Sequence, residues 1–96
     1  MMKNLLYLSF HKNSSVSLQY HLHRSEFWVV VEGVIEVTKG KDKSILKRNE
    51  STYIEKNEIH KITNIGTRPA KIIEVQLGNY LSEDDIIRIE DQYGRI

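Results

Sequence analysis

The chain has 96 residues, which is room for one small domain, and its composition already excludes several functional classes. Its 14 basic and 13 acidic residues give a formal charge of +1, so no strong field attracts nucleic acid or an anionic membrane. The absence of cysteine excludes disulfides, thiolate zinc sites and a cysteine nucleophile. The longest apolar run, residues 27–31, is too short to cross a membrane, and no secretory pattern opens the chain, so a cytoplasmic protein is expected.

Runs of β-branched and aromatic residues between turn residues predict strands along most of the chain. In chain order, these strands cover residues 4–10, 16–23, 26–32, 34–39, 44–47, 51–54, 59–65 and 70–77. The stretch 26–32 is almost continuously apolar, which predicts a strand that is buried on both faces. The tail favours a short helix or turn, because Ser82 and Asp85 have the spacing of a capping box, although Ile87 and Ile89 also fit a strand.

Six to eight short strands without helical crossovers predict an antiparallel all-β sandwich or barrel. The chain contains no internal repeat, no low-complexity segment and no linker, so residues 1–96 are expected to form a single domain.

Polar side chains follow one face of the predicted strand 16–23. Gln19, His21 and His23 alternate on that face, and alternate residues of a strand lie about 6.5–7 Å apart, so two imidazoles can share one ion. Glu26 follows closely, and His60 lies on a different predicted strand. Imidazole and carboxylate groups suit zinc, iron, manganese, nickel or cobalt. By itself, an alternating pair of histidines is also typical of a solvated strand face.

The spacing of these residues resembles the two signatures of the cupin superfamily. The first signature is matched by His21, His23, Glu26 and, six residues further on, Gly33. The spacing of the second signature is kept by Asn49, Glu55, Asn57, His60 and Asn64. Asparagine stands where that signature has glycine at two positions, and it tolerates positive φ. The resemblance implies a double-stranded β-helix, that is, an antiparallel jelly-roll barrel with a short C-terminal helix or turn.

Glu26 departs from the first signature. Only two residues separate it from His23, where the signature has three or four. Strict alternation would place Glu26 on the opposite face from the histidines. Two alternatives stay open: a bulge near residues 24–25 returns Glu26 to the site, or Gln19 replaces it as the additional ligand. The pair Gln19-x-His21 resembles the Gln-x-His found at the metal of zinc phosphomannose isomerases.

The resemblance narrows to the C-terminal cupin domain of type II phosphomannose isomerases over about residues 16–95. The segments SLQYHLHRSEFWVVVEG, NESTYI and IEVQLGNYLSEDDIIRIEDQYGR carry it. In that family the domain usually follows a GDP-mannose pyrophosphorylase domain. No glycine-rich nucleotidyltransferase loop occurs here, so that second domain is expected to be absent.

The resemblance implies metal-dependent interconversion of mannose 6-phosphate and fructose 6-phosphate, within GDP-mannose biosynthesis. A divalent ion, zinc first, with manganese, cobalt, nickel and iron as alternatives, would be held by His21, His23, His60 and either Glu26 or Gln19. Glu26 could instead be the base that moves a proton through an enediol. Arg24 could bind the phosphate, since guanidinium groups suit phosphate oxygens, and Arg95 could close over the pocket.

The expected partners are a phosphorylated hexose and a second copy of the chain, paired through sheet edges or swapped strands, with no nucleic acid or membrane. Two rival hypotheses stay open: a non-catalytic module that binds sugar or metal, and another metal-dependent cupin enzyme such as an oxygenase.

Overall fold

The computed structural model describes residues 2–15, 18–81 and 83–90. Within these residues the chain forms nine strands and one 3-10 turn. The strands are β1 (Met2–Phe10), β2 (Leu18–His21), β3 (Arg24–Glu32), β4 (Ile35–Lys39), β5 (Asp42–Leu46), β6 (Ser51–Ile54), β7 (His60–Asn64), β8 (Ala70–Gly78) and β9 (Ile86–Glu90), and the 3-10 turn is Glu83–Asp85. None of the helical structure in these ranges is long and apolar enough to cross a membrane.

The strands form two antiparallel sheets. One sheet has four strands in the order β1-β8-β3-β6, and the other has five in the order β5-β4-β7-β2-β9. The predicted antiparallel all-β barrel is therefore confirmed. The described tail contains both alternatives considered from the sequence, because the 3-10 turn leads directly into β9, which includes Ile87 and Ile89. Ser82, half of the proposed capping box, lies outside the described residues.

An apolar core fills the space between the sheets. Its fully buried members are Trp28, Val30, Ile35, Val37, Ile54, Ile62, Ala70 and Ile72. They come from both sheets, since they alternate with outward-facing residues on β3, β4, β6, β7 and β8. Burial of each large aliphatic side chain contributes about 1.5–3 kcal/mol, so this set is the main source of stability in so small a domain.

Three turn residues adopt the left-handed conformation that their positions in the cupin signatures imply. Asn49 has φ of 71° and Asn57 has φ of 65°, so asparagine does replace glycine there at low steric cost. Gly33 has φ of 89°, and a Cβ at this position would lie 2.9 Å from the Cα of Ala70. Gly33 is therefore required both by its conformation and by the close approach of β8.

The prediction that residues 26–32 are buried on both faces is wrong. Glu26, Trp28 and Val30 point into the barrel, but Phe27 is exposed and Val29 is only half-buried. The reason is that the outer face of the four-stranded sheet is covered by no other described part of the chain.

Candidate metal centre

The interior of the barrel changes from apolar to polar along two neighbouring strands. In the register of β3 and β8, Val30 pairs with Ile72, Trp28 with Glu74, and Glu26 with Gln76, and all six side chains are buried. A buried polar group is costly unless it is bonded, so the polar end needs partners that the apolar end does not.

Two histidines and a glutamate converge at this polar end. His21 ends β2, Glu26 lies on β3, and His60 begins β7, and all three are buried. Each offers one ligand atom, and these atoms lie within 4.8 Å of one another. The Nε2 atom of His21 is 3.3 Å from Oε2 of Glu26, and the two imidazole centroids are 5.0 Å apart.

The donor set fits a divalent cation. The Nδ1 atom of His60 donates to the carbonyl oxygen of Glu58 at 2.8 Å, which leaves Nε2 of that ring as a lone-pair donor. Nε2 of His60 and Nε2 of His21 are buried and have no hydrogen-bond partner within the described ranges. An outer hydrogen bond that fixes the tautomer, with the inner nitrogen unpaired, is the usual arrangement of a metal-binding imidazole, and His60 has it. His21 has no hydrogen-bond partner on either ring nitrogen within the described ranges.

Electrostatics keeps both imidazoles in the form that binds metal. Burial, and then the positive charge of Arg24, lower the pKa of His21 from 6.5 to about 3. Burial also lowers the pKa of His60. Both rings are therefore neutral at neutral pH, because the protein interior does not solvate an imidazolium ion.

Glu26 is held on both of its oxygens. Arg24 Nε donates to Oε2 at 2.8 Å, and Trp28 Nε1 donates to Oε1 at 3.1 Å. The three residues alternate on β3, so they share its inner face. The carboxylate is thus oriented toward His21 by its own neighbours on the strand.

A bend between β2 and β3 decides which residues reach the cluster. Asp85 ends the 3-10 turn, and its carboxylate accepts hydrogen bonds from two backbone N–H groups of the bend. Leu22 N donates to Oδ1 at 3.1 Å, and His23 N donates to Oδ2 at 3.0 Å. Gly78 packs against the same bend, where a Cβ would lie 2.9 Å from the Cα of Arg24 and overlap the carbonyl oxygen of His23. Alternation therefore stops at His21 and starts again at Arg24.

The bend brings Glu26 into the cluster and leaves His23 outside it. Glu26 faces the cluster, not through a bulge at residues 24–25 but because β3 begins afresh after the bend. His23 does not join the cluster: its side chain is 56% exposed and makes an edge contact with Tyr80. His23 differs from the prediction because the alternation of β2 ends at His21.

The remaining expected site residues have separate locations. Gln19 is buried, pairs with His60 in the register of β2 and β7, and lines a cavity beside the cluster. Arg24 is buried and also lines it. Arg95 lies outside the described residues.

This cavity beside the cluster has a volume of about 180 Å³. Its apolar wall includes Leu6, Leu8, Phe10, Ile62 and Ile72, and its polar wall includes Gln19, Arg24, Glu26, Glu74, Gln76 and Arg88. Glu74 and Gln76 are site residues that the sequence motifs do not single out. Their inward position is nevertheless readable from the sequence, because both have the same parity on β8 as buried Ala70 and Ile72.

The carboxyl group of Glu74, which faces this cavity, has a raised pKa. Gln76 Nε2 donates to its Oε1 at 2.8 Å, and Asn4 Nδ2 in turn donates to Gln76 Oε1 at 3.4 Å. Burial, and then the charge of Glu26, raise the pKa of Glu74 to about 7. The cavity therefore contains a carboxyl group that can gain or lose a proton near neutral pH.

Asn64, the last residue of the second signature, ties the turn between β7 and β8 and is not part of the cluster. Its Nδ2 donates to the carbonyl oxygens of Phe10 at 3.0 Å and Arg68 at 2.8 Å, and its Oδ1 accepts from Gly66 N at 2.9 Å. It keeps β1 and the loop before β8 together.

The fold is a jelly-roll barrel, and histidines and a glutamate cluster at one end of its interior. This arrangement is that of a cupin. Solved structures agree on the fold. A double-stranded β-helix protein from Klebsiella pneumoniae superposes with a TM-score of 0.79 at 17% identity, over 93% of this chain and 76% of that chain. The cupin domain of Cnp3 from Schizosaccharomyces pombe gives a TM-score of 0.77 at 14% identity, over 80% of this chain and 53% of that chain.

The chain belongs to the family described as Mannose-6-phosphate isomerase C-terminal, whose pattern matches residues 4–91. It is 51% identical over 82 residues to the xanthan biosynthesis protein XanB of Xanthomonas campestris, covering 85% of this chain and 18% of XanB. It is 50% identical over 76 residues to the mannose-1-phosphate guanylyltransferase RfbM of Salmonella typhimurium, covering 79% of this chain and 16% of RfbM. The chain thus spans less than a fifth of the length of these relatives.

Proposed function

We propose that the chain binds a divalent metal ion at His21, Glu26 and His60 and interconverts mannose 6-phosphate and fructose 6-phosphate. The observation that carries this proposal is the convergence of these three buried side chains beside a polar cavity, in a member of the Mannose-6-phosphate isomerase C-terminal family. Zinc is the first candidate, and the donor set also suits manganese, cobalt, nickel or iron. Gln19 remains a candidate for a further ligand.

The bound ion would supply an electrophile for the sugar oxygens next to the reacting carbons. The chain itself must move a proton between C1 and C2. Glu26 is less suited to this than expected from the sequence, because both of its oxygens already accept hydrogen bonds. Glu74 faces the same cavity and has a pKa near neutrality, so it is the better candidate for the proton-carrying group.

The cavity also offers positive charge for an anionic substrate. Arg24 and Arg88 both line it, and guanidinium groups bind phosphate oxygens well. We assign phosphate binding to Arg24 first, because its Nε bond to Glu26 fixes the guanidinium beside the candidate metal ligands. This arrangement would place the substrate's charge and its reacting end within one small cavity.

A coupled assay with mannose 6-phosphate tests the proposal, together with the metal content of the purified chain. We expect turnover that is lost on chelation and restored by metal, and His60→Ala is expected to lose both metal and turnover. The matched control is His11→Ala, since His11 is an exposed histidine that is not part of the cluster. Turnover that survives both chelation and His60→Ala would refute the assignment.

A non-catalytic module is the second candidate, because RfbM, at 50% identity, is named as a mannose-1-phosphate guanylyltransferase and not as an isomerase. Such a module would bind metal and a hexose phosphate without isomerising the sugar. Calorimetric binding of mannose 6-phosphate to the metal-loaded chain, with no product in the coupled assay, would support this function instead.

We also propose a cytoplasmic location and a homodimer. A cytoplasmic location fits a sugar-phosphate substrate. A homodimer fits a thin core, because association buries apolar surface that so small a domain cannot cover.

A further inference from the structure

Trp28 is a buried aromatic side chain beside the candidate metal centre. It lies on β3, two residues after Glu26, and is 2% exposed. Its Nε1 atom donates to Oε1 of Glu26 at 3.1 Å. Its ring also meets the imidazole of His60 edge-on, with the ring centroids 5.6 Å apart and an angle of 71° between the planes. Because β3 and β7 belong to different sheets, Trp28 links a candidate ligand of one sheet to a candidate ligand of the other.

Core packing alone does not explain an indole at this position. A buried indole N–H needs an acceptor, so a side chain that only fills space is better without polar atoms. Val30, the next inward residue of β3, and Ile72 opposite it fill the apolar end with hydrocarbon alone. The acceptor that Trp28 finds is a carboxylate of the ligand cluster, and bonds to carboxylates are stronger than those between neutral groups. The indole N–H is therefore a restraint on Glu26.

This restraint decides which oxygen of Glu26 faces the other ligands. Trp28 engages Oε1, while Oε2 lies 3.3 Å from Nε2 of His21. Arg24 Nε also donates to Oε2, but a carboxylate oxygen has two lone pairs, so Oε2 can accept this bond and still bind a cation. Carboxylates bind cations with one oxygen or with both. With Oε1 bonded to the indole, Glu26 offers one.

The ring of Trp28 restrains His60 as well. The imidazole of His60 is fixed on one side by the bond from Nδ1 to the carbonyl oxygen of Glu58. On another side it meets the indole in the edge-to-face geometry that aromatic pairs prefer. Together these two contacts fix the tilt of the imidazole ring, and hence the direction of its buried Nε2 atom.

We propose that Trp28 is a positioning residue of the metal centre: its N–H keeps Glu26 a ligand through one oxygen, and its ring holds His60. The inference rests on the proposed function, because it requires a metal ion at the cluster of His21, Glu26 and His60. Catalytic metal sites keep one coordination position open for substrate. A second oxygen from Glu26 would compete for that position, so the indole N–H preserves it for a sugar oxygen.

Trp28→Phe tests the N–H, because phenylalanine keeps an aromatic ring but donates no hydrogen bond. Visible absorption of the cobalt-loaded chain is the readout, since six-coordinate cobalt absorbs more weakly than four- or five-coordinate cobalt. We expect weaker cobalt bands than in the wild type and an affinity for cobalt that falls about 10–100-fold, as is typical when the hydrogen-bond partner of a ligand is lost. Val30→Ala is the matched control, because Val30 is buried on the same face of β3 and has no donor. It should lower the thermal unfolding midpoint and leave the cobalt bands and the affinity unchanged.

Benzothienylalanine in place of Trp28 separates the N–H from the shape of the ring, because sulfur replaces the N–H in a ring system of nearly the same size. Trp28 is the only tryptophan of the chain, so the analogue changes this one residue. We expect it to weaken the cobalt bands and the affinity as Trp28→Phe does, with a smaller loss in the unfolding midpoint.

Two outcomes would overturn the inference, and they are distinguishable. A benzothienylalanine chain with the cobalt bands and affinity of the wild type would make Trp28 a core residue only, while the metal assignment would stand. A wild-type chain that binds no cobalt would overturn the metal assignment itself, and the role of Trp28 with it.

Discussion

The two ends of the barrel interior are built from the same strands, but one end is apolar core and the other is the polar candidate site. At one end Val30 faces Ile72 across β3 and β8, and at the other Glu26 faces Gln76. The apolar end needs only close packing. The polar end needs a continuous set of hydrogen bonds, in which Arg24 and Trp28 hold Glu26 and Gln76 holds Glu74. The contrast teaches that one alternating pattern produces either a core or a site, depending on which residues occupy its inward positions.

Glu74→Gln is expected to give the largest effect at the polar end. Gln can still accept the bond from Gln76 but cannot transfer a proton, so we expect kcat for mannose 6-phosphate to fall about 10²–10⁴-fold. Metal content should change little. Glu36→Gln, on the outward side of β4, is the control. An unchanged kcat would remove Glu74 from the proposed chemistry.

Ile72→Ala tests the apolar end. Ile72 is fully buried in the core, so its truncation should lower the free energy of unfolding by about 2–5 kcal/mol, measured by chemical denaturation. Under conditions where the variant is folded, it should still bind metal, because the ligand cluster lies at the other end of the same strands. Loss of metal from the folded variant would show that metal binding at the polar end depends on packing at the apolar end.

Asp85→Ala tests the bend that separates inward Glu26 from outward His23. It removes the acceptor of two backbone N–H groups, so we expect a loss of about 1–3 kcal/mol in stability. Because the bend orients His21, we also expect metal affinity, measured with cobalt absorption, to fall about tenfold or more. Asp85→Asn, which keeps one acceptor oxygen, should recover part of both. A variant with weakened stability and intact cobalt affinity would limit Asp85 to a structural role.

Acidification should destabilise the metal-free chain from about pH 6.5 downward. Between about pH 3 and 6.5 the unfolded chain binds a proton that buried His21 does not, and the lowered pKa of His60 acts in the same direction. Glu74 acts in the opposite direction, since its raised pKa stabilises the fold below pH 4.5 and this contribution is lost as pH rises to about 7.

Between pH 4.5 and 6.5 the proton that folded His21 does not bind is offset by the proton that folded Glu74 retains, so the lowered pKa of His60 decides the sign of the slope. The slope is therefore positive and at most about 1.4 kcal/mol per pH unit, the value for one proton. Denaturant unfolding of the apo chain across this range measures the slope, and His21→Gln should flatten it. A stability that rises on acidification in this window would contradict the balance.

Local sequence patterns predicted much of this protein. Alternation identified most strands and the all-β class, because side-chain direction in a strand depends only on its neighbours in the chain. His21 and His60, which the resemblance to the cupin signatures singled out, are both buried. The asparagine positions of the second signature were also predictable, since Asn49 and Asn57 can adopt the left-handed conformation by themselves.

The tertiary structure alone decided which residues share the site. Asp85 holds the bend at residues 22–23 from more than sixty residues further along the chain, and that bend turns Glu26 inward and His23 outward. The pairing of β3 with β8 likewise brings Glu74 beside Glu26. Alternation is a local property and is readable from sequence, whereas the point at which it is interrupted is set by contacts between distant segments.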